Sequence, residues 1–344
     1  MAAVERVELG RTGERVSAIG LGTWQWGSPA WGWPHGYRES DVDEAFERAL
    51  SLGINFFDTA EIYGGGRSED LLGRALRGRR DQVFIATKLF PSRITEAAVR
   101  RAALASLRRL RVDVIDLYQL HFPNPFVPTG RIVRAMERLV KEGKVRYLGV
   151  SNLGVRGLDS ARKALASEDI VSDQVKYSLL HRAPERALLP YARREGVTVI
   201  AYSPLAQGAL TGKYSADRVP RDLVRGANRL FAPGNLRRIQ AGIDLLNAIG
   251  SRHAKTASEV ALNWLRREPT VLPIPGVKRA AHVEEAAGAT GWRLSPEEFN
   301  EIDRVFRSVH VSTAAAIPWV IGRSLRRVFS GPAKKQSGHE DARV

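Results

Sequence analysis

The sequence predicts an α/β fold, a (β/α)8 TIM barrel with an N-terminal β-hairpin and a C-terminal tail. Three observations predict it. Eight short apolar runs rich in Val and Ile alternate with amphipathic segments, as buried parallel strands and their covering helices should. Most of these runs recur every ~30 residues, the spacing of β/α units in a ~250-residue barrel. At 344 residues the chain is long for one sandwich and ordinary for one barrel plus a tail.

The elements follow in order. The opening VELGRTGERV carries two alternating segments around Arg11-Thr12-Gly13, which reads as a hairpin with Gly at its turn. Strands are expected at Ala18–Thr23, Ile54–Asp58, Val83–Lys88, Val114–Leu120, Val145–Val150, Val171–Val175, Val197–Tyr202 and Val271–Pro275. Helices are expected at Asp41–Leu50, Thr95–Leu110 with Thr95 as N-cap, Arg131–Lys141, Gly157–Ala166, Glu185–Arg194, Ala257–Arg266 and His282–Ala289. The stretch from Ala206 to Thr270 breaks the rhythm and must hold a long loop and an extra helix, Leu236–Gly250. In barrels such a place is where phosphate sites often lie. Residues 1–306 thus form the barrel, and 307–344 a basic tail with a disordered end. Within the tail, Trp319, Ile321, Leu325, Val328 and Phe329 alternate with Arg323, Arg326 and Arg327. A helix packed on the barrel or on a partner is the expectation there, ahead of peripheral contact with a membrane surface.

Composition narrows the function. With no cysteine, thiolate metal sites, iron–sulfur clusters and Cys nucleophiles are excluded, and a reducing, cytoplasmic setting fits. No zinc-binding spacing such as HExxH appears, so no metal is expected. The N-terminus carries no signal-like apolar core, and no run is long and apolar enough to cross a bilayer. The net charge of +16 attracts polyanions in general, but no basic stripe with interleaved aromatics appears, so no nucleic-acid partner is expected. Two glycine clusters mislead. Gly20-Leu21-Gly22 has Gln25 where a dinucleotide fingerprint needs its third glycine, and Gly64-Gly65-Gly66 lacks the Gly-Lys-Ser/Thr of a P-loop.

Barrel enzymes carry their chemistry at the C-terminal ends of strands. Those ends bring Asp58 and Tyr63 in FFDTAEIYGGGRSE, Lys88 in ATKLFPS and His121 in LYQLHFPNP. Alone, each has a bland reading as a turn residue, loop residue or satisfied core residue. Together, at three consecutive strand ends, they form an acid site. A free phenol titrates near ~10, too high for an efficient acid at neutrality. A neighbouring Lys88 cation is expected to lower it, Asp58 to hold Lys88 charged, and His121 to meet the reacting oxygen. No nucleophile stands out, which suits reduction of a carbonyl by hydride plus proton.

The segments Gly22-Thr23-Trp24, FFDTAEIYGGGRSE, ATKL, LYQLH, GVSN, QVKYSLL, AYSPLAQGALTGK and IPGVKR resemble, in order and spacing, the aldo-keto reductase superfamily from about residue 5 to about residue 306. The bacterial and potassium-channel-β-subunit-like branches look nearest. The resemblance implies NADPH, preferred over NAD, and a tetrad of Asp58, Tyr63, Lys88 and His121. It implies that Ser151, Asn152 and Gln174 hold the nicotinamide carboxamide, that Tyr202 stacks on its ring, and that Ser203, Pro204, Leu205, Gln207, Gly208 and Lys213 form the pyrophosphate loop. Gly22, Thr23, Trp24, Asp58 and Ile274 border the cofactor. Gly276, Lys278 and Arg279 would meet a phosphate, and His282 and Glu285 the adenine. His282 and Ala286 depart from the family's usual residues, which implies a weaker adenine contact.

The expectation is therefore an NADPH-dependent oxidoreductase that reduces an aldehyde or ketone to an alcohol. Trp24, Trp26, Phe90 and Phe122 are expected in the pocket walls, with Trp31 and Trp33 on a mobile loop, suiting an apolar or aromatic small-molecule substrate. The alternative is a cofactor-binding, redox-sensing module with little turnover.

Overall fold

The computed structural model describes residues 3–220, 222–226 and 228–312. Its opening hairpin pairs β1 (Arg6–Glu8) with β2 (Arg15–Ser17) antiparallel. The turn needs Gly10: its φ is +60°, and a Cβ there would stand 2.9 Å from the Val171 carbonyl. Eight parallel strands follow: β3 (Leu21–Gly22), β4 (Phe56–Asp58), β5 (Phe84–Leu89), β6 (Ile115–Leu120), β7 (Val145–Ser151), β8 (Ile170–Lys176), β9 (Thr198–Tyr202) and β10 (Val271–Ile274). Each pairs with the next in sequence order. The ring closes where Gly22 bridges Gly276, with amides of Gly20 and Gly22 donating to Pro273 and Pro275 carbonyls at 2.9 Å.

Strand alternation builds two cores. In β4, Phe56 points into the barrel and stacks on Phe84, while Phe57 points outward against Phe46 on the helix Glu39–Ser51. The interior cluster also holds Leu117, Ile200 and Leu272, and at its base Leu9 and Val16 from the hairpin. The hairpin thus plugs the N-terminal end of the barrel, and Gly10 N donates to Thr198 Oγ1 at 2.7 Å.

The expected helices form within a few residues of their expected bounds. Thr95 caps Glu96–Leu110, its hydroxyl accepting from Ala98 N at 3.2 Å. The extra helix runs Pro233–Arg252. Some elements differ from the expectation. Arg67–Ala75 is a helix, Glu185–Arg194 divides into a short 3-10 turn and Leu188–Glu195, and Pro296–Ser308 is a helix capped by Ser295. This last helix carries the chain across the expected boundary at 307, and beyond it Ser312 N and O bond the Asn235 side chain. The alternating segment Trp319–Phe329 lies outside the described residues. Among the described residues no helix is long and apolar enough to cross a membrane.

Candidate active site

The C-terminal ends of β4, β5 and β6 bring four side chains together. Lys88 has no exposed surface. An ammonium there must use all three donors, and it does: to Asp58 Oδ1 at 2.5 Å, Thr59 O at 2.8 Å and Tyr63 OH at 3.2 Å. The other Asp58 oxygen accepts from Gln174 Nε2 at 2.6 Å and Gln119 Nε2 at 3.2 Å. Tyr63 stands in the turn after β4, with its ring edge-on to His121 at 5.7 Å between centroids.

The electrostatics of this cluster correct one expectation. Burial raises the Tyr63 phenol above its usual value and Asp58 adds to that, while Lys88 opposes both. The net direction is up, because taking the phenol out of water disfavours the phenolate more than one ammonium favours it. Burial also works against the Lys88 charge, yet Asp58 and Tyr63 hold its pKa above the usual value. Burial, aided by Lys88, pushes the His121 imidazole down to about 3. At neutral pH His121 is uncharged, and its buried Nδ1 has no partner among the described residues.

Beside this cluster lies a run of polar groups. Ser151 Oγ donates to Gln174 O at 2.7 Å, Asn152 Nδ2 donates to Ser151 Oγ at 2.9 Å, and Tyr202 OH donates to Asn152 Oδ1 at 3.0 Å. Asn152 sits at φ 62°. The chain after β9 kinks through left-handed conformations at Ser203, Ala206, Gln207 and Gly208, and Gln207 Oε1 is held by Asn228. Pro204 is buried in this turn and Leu205 packs on the core, while Lys213 is exposed.

At the end of β10, Gly22 faces Gly276, whose Cα is covered by Gln25 so closely that a Cβ would fall 2.1 Å from Gln25 Nε2. Lys278 donates to Trp31 O at 2.6 Å and lies over the Trp31 and Tyr37 rings. Burial, with Arg225, Arg279 and Lys213 close by, pushes it down to about 8. Arg279 donates to Gly36 O and pairs with Asp41. His282 Nδ1 accepts from Lys278 N, and Glu285 accepts from Thr256. This crowd of cations suits a phosphate, and the polar run beside Tyr63 suits an uncharged amide, so the residues fit a phosphorylated nicotinamide cofactor.

Some expected site residues are placed otherwise. Thr23 is fully buried, its hydroxyl held by Asp58 O at 2.9 Å and Ser68 Oγ at 2.7 Å. Ile274 faces the barrel interior. Trp26 is not a pocket wall: it has no exposed surface, packs in the core and donates Nε1 to Val277 O at 3.0 Å. A polar edge that finds a backbone carbonyl lets an indole sink completely. Trp31 is nearly buried over Lys278, and Trp33 packs edge-on against Tyr37. Around Tyr63 the open aromatic surface comes from Trp24, 39% exposed with its ring 6.3 Å away, and from Phe122, which stacks on His121. Phe90 is part-buried, its amide held by Glu61. Phe126, on the loop after β6, is a further aromatic side chain, 91% exposed, that was not expected. Arg225, whose guanidinium lies over Trp31, was also missed.

Residues 18–307 match the aldo/keto reductase family. The chain belongs to that family. An uncharacterized oxidoreductase of Mycobacterium tuberculosis is 41% identical over 298 residues, which span 86% of this chain and 92% of that protein. The aldo-keto reductase YhdN of Bacillus subtilis is 32% identical over 318 residues, 89% and 94% of the two chains. Among solved structures, an aldo-keto reductase from Klebsiella pneumoniae in complex with NADPH superposes with a TM-score of 0.73 at 32% identity, covering 88% of this chain and 95% of that one. As an aldo/keto reductase the protein is an oxidoreductase, and its barrel is the fold of its relatives.

Proposed function

We propose that this aldo/keto reductase uses NADPH to reduce an aldehyde or ketone to the alcohol, with Tyr63 as the proton donor. One observation carries the reading: a Lys88 ammonium without solvent contact donates to Asp58 and to the Tyr63 hydroxyl at once. The bound nicotinamide would supply the hydride. Tyr63 would deliver the proton to the carbonyl oxygen. Burial keeps the phenol protonated through the neutral range, and the ammonium 3.2 Å from its oxygen would stabilise the phenolate as it forms. Asp58 keeps Lys88 charged and aimed. His121, neutral over the same range, would orient the carbonyl without competing as an acid.

Ser151 and Asn152, with the carbonyl oxygen of Gln174, would hold the carboxamide. Gln174 turns its amide nitrogen to Asp58, which leaves that oxygen as its contribution. Tyr202 would take the ring face. Lys278 and Arg279 would meet the phosphate that distinguishes NADPH from NADH, and the NADPH complex of the Klebsiella relative supports that choice. Trp24, Phe90 and Phe122 would offer an apolar, aromatic surface to the substrate. The absence of cysteine fits work in a reducing cytoplasm.

The test is NADPH oxidation by purified protein with a panel of aromatic aldehydes, ketones and quinones. Turnover with an aromatic aldehyde is expected. Tight NADPH binding without turnover on any carbonyl would favour the redox-sensing alternative.

A further inference from the structure

Strand β6 alternates between the two cores. Leu117 faces the barrel interior beside Phe56 and Phe84, and Tyr118 faces the helix layer. Gln119 therefore points inward, and it has no exposed surface. A buried amide is costly unless it is hydrogen-bonded. Gln119 finds its partners in the site. Its Nε2 donates to Asp58 Oδ2 at 3.2 Å, and its Oε1 accepts from Gln174 Nε2 at 3.5 Å. Room for it comes from β7. Its register partner there is Gly149, where a Cβ would stand 2.9 Å from Gln119 Cγ and 2.6 Å from Ser172 Oγ.

We infer that Gln119 is a positioning residue for Tyr63, acting through Asp58. The inference rests on Tyr63 being the proton donor of a reductase. Lys88 takes one Asp58 oxygen and the two amides of Gln119 and Gln174 take the other, so the carboxylate is held in the one orientation that meets Lys88. The charge of Asp58 opposes ionisation of Tyr63, and Lys88 favours it. An amide dipole on Asp58 Oδ2 offsets part of that opposition. Without it the phenol is a weaker acid and proton delivery slows.

The test compares wild type, Gln119→Leu and Gln119→Glu. It reads kcat, NADPH Kd by fluorescence quenching, and the ultraviolet titration of Tyr63, taken as the difference between each protein and its Tyr63→Phe counterpart. Gln119→Leu should cut kcat about tenfold, the loss of one hydrogen bond to a charged group, and should move the Tyr63 titration to higher pH. NADPH Kd should stay within about threefold. Gln119→Glu keeps the shape. It should work best at acid pH, where its protonated carboxyl donates to Asp58, and should fail as pH rises and two carboxylates face each other. If Gln119→Leu does not fold, the pH profile of Gln119→Glu decides. A Gln119→Leu protein that titrates and turns over like wild type overturns the inference, as does a Gln119→Glu profile parallel to wild type. So does a loss that falls wholly on NADPH Kd. A wild type without turnover on any carbonyl defeats the reductase reading instead, and the phenol titration still decides whether Gln119 acts on Tyr63.

Discussion

Lys88 Nζ lies 2.5 Å from Asp58 Oδ1, and the two side chains are 0% and 3% exposed. Removing one member of such a pair leaves the other charge buried and alone, at a cost of about 3–5 kcal/mol, whereas replacing both by apolar residues is often close to neutral. Lys88→Met should therefore lower both stability and NADPH turnover. The double change Lys88→Met with Asp58→Leu should regain much of the stability and none of the turnover. Denaturant melts and NADPH oxidation on the three proteins check this. Turnover recovered with stability would mean that the pair serves only the fold.

Lys278 predicts a proton linkage in cofactor binding. In the free protein burial and neighbouring cations hold it down to about 8. A phosphate beside it favours the ammonium, so its pKa rises on binding and a proton is taken up between the two values. Calorimetry at about pH 8.5, in buffers of different ionisation heats, should show uptake with NADPH and little with NADH. Lys278→Met should abolish the uptake and weaken NADPH by about 1.5–3 kcal/mol. NADH binding as tightly as NADPH would remove Lys278 and Arg279 from phosphate recognition.

Asp173 predicts a pH-dependent stability. Its side chain has no exposed surface, and among the described residues neither oxygen has an ordinary hydrogen bond. Burial pushes its carboxyl up to about 8 from 3.8, against a smaller opposing effect of the Leu153 amide. The folded value is the higher one, so its contribution is fully present below the unfolded pKa and is lost as pH rises through about 8. Asp173→Asn, of the same shape and without charge, should match wild type near pH 4 and exceed it by a few kcal/mol, roughly, near pH 8. Melting temperatures across that range read the gap. A gap that stays constant with pH would show that Asp173 is ionised in the folded protein.

Much of the barrel was legible because its signals are local. The run Val83–Lys88 formed β5 at Phe84–Leu89, and Thr95 capped the helix it was expected to cap. The helix Pro296–Ser308 had a readable signal in Ser295 and Glu298, which form a capping box. The helix Arg67–Ala75 had a poorer one, since three positive-φ glycines precede it. Tryptophans crowded into one loop defeat spacing arguments: Trp24 is exposed and Trp26 is core, although both lie two residues apart after β3. Gln119 was within reach of the strand period, which puts it on the same face as Leu117. The upward shift of Tyr63 was not, because desolvation depends on what surrounds the phenol and not on its neighbour in sequence.

The central claim is that Tyr63 delivers the proton, and Tyr63→Phe tests it most directly. Phe keeps the ring beside Trp24 and His121 and removes only the hydroxyl that Lys88 meets. Single-turnover reduction of an aromatic aldehyde should fall by ~10²–10⁴-fold, the usual worth of a positioned general acid, while NADPH Kd by fluorescence quenching stays near wild type. Retention of most of the wild-type rate would contradict the assignment and point to another proton source.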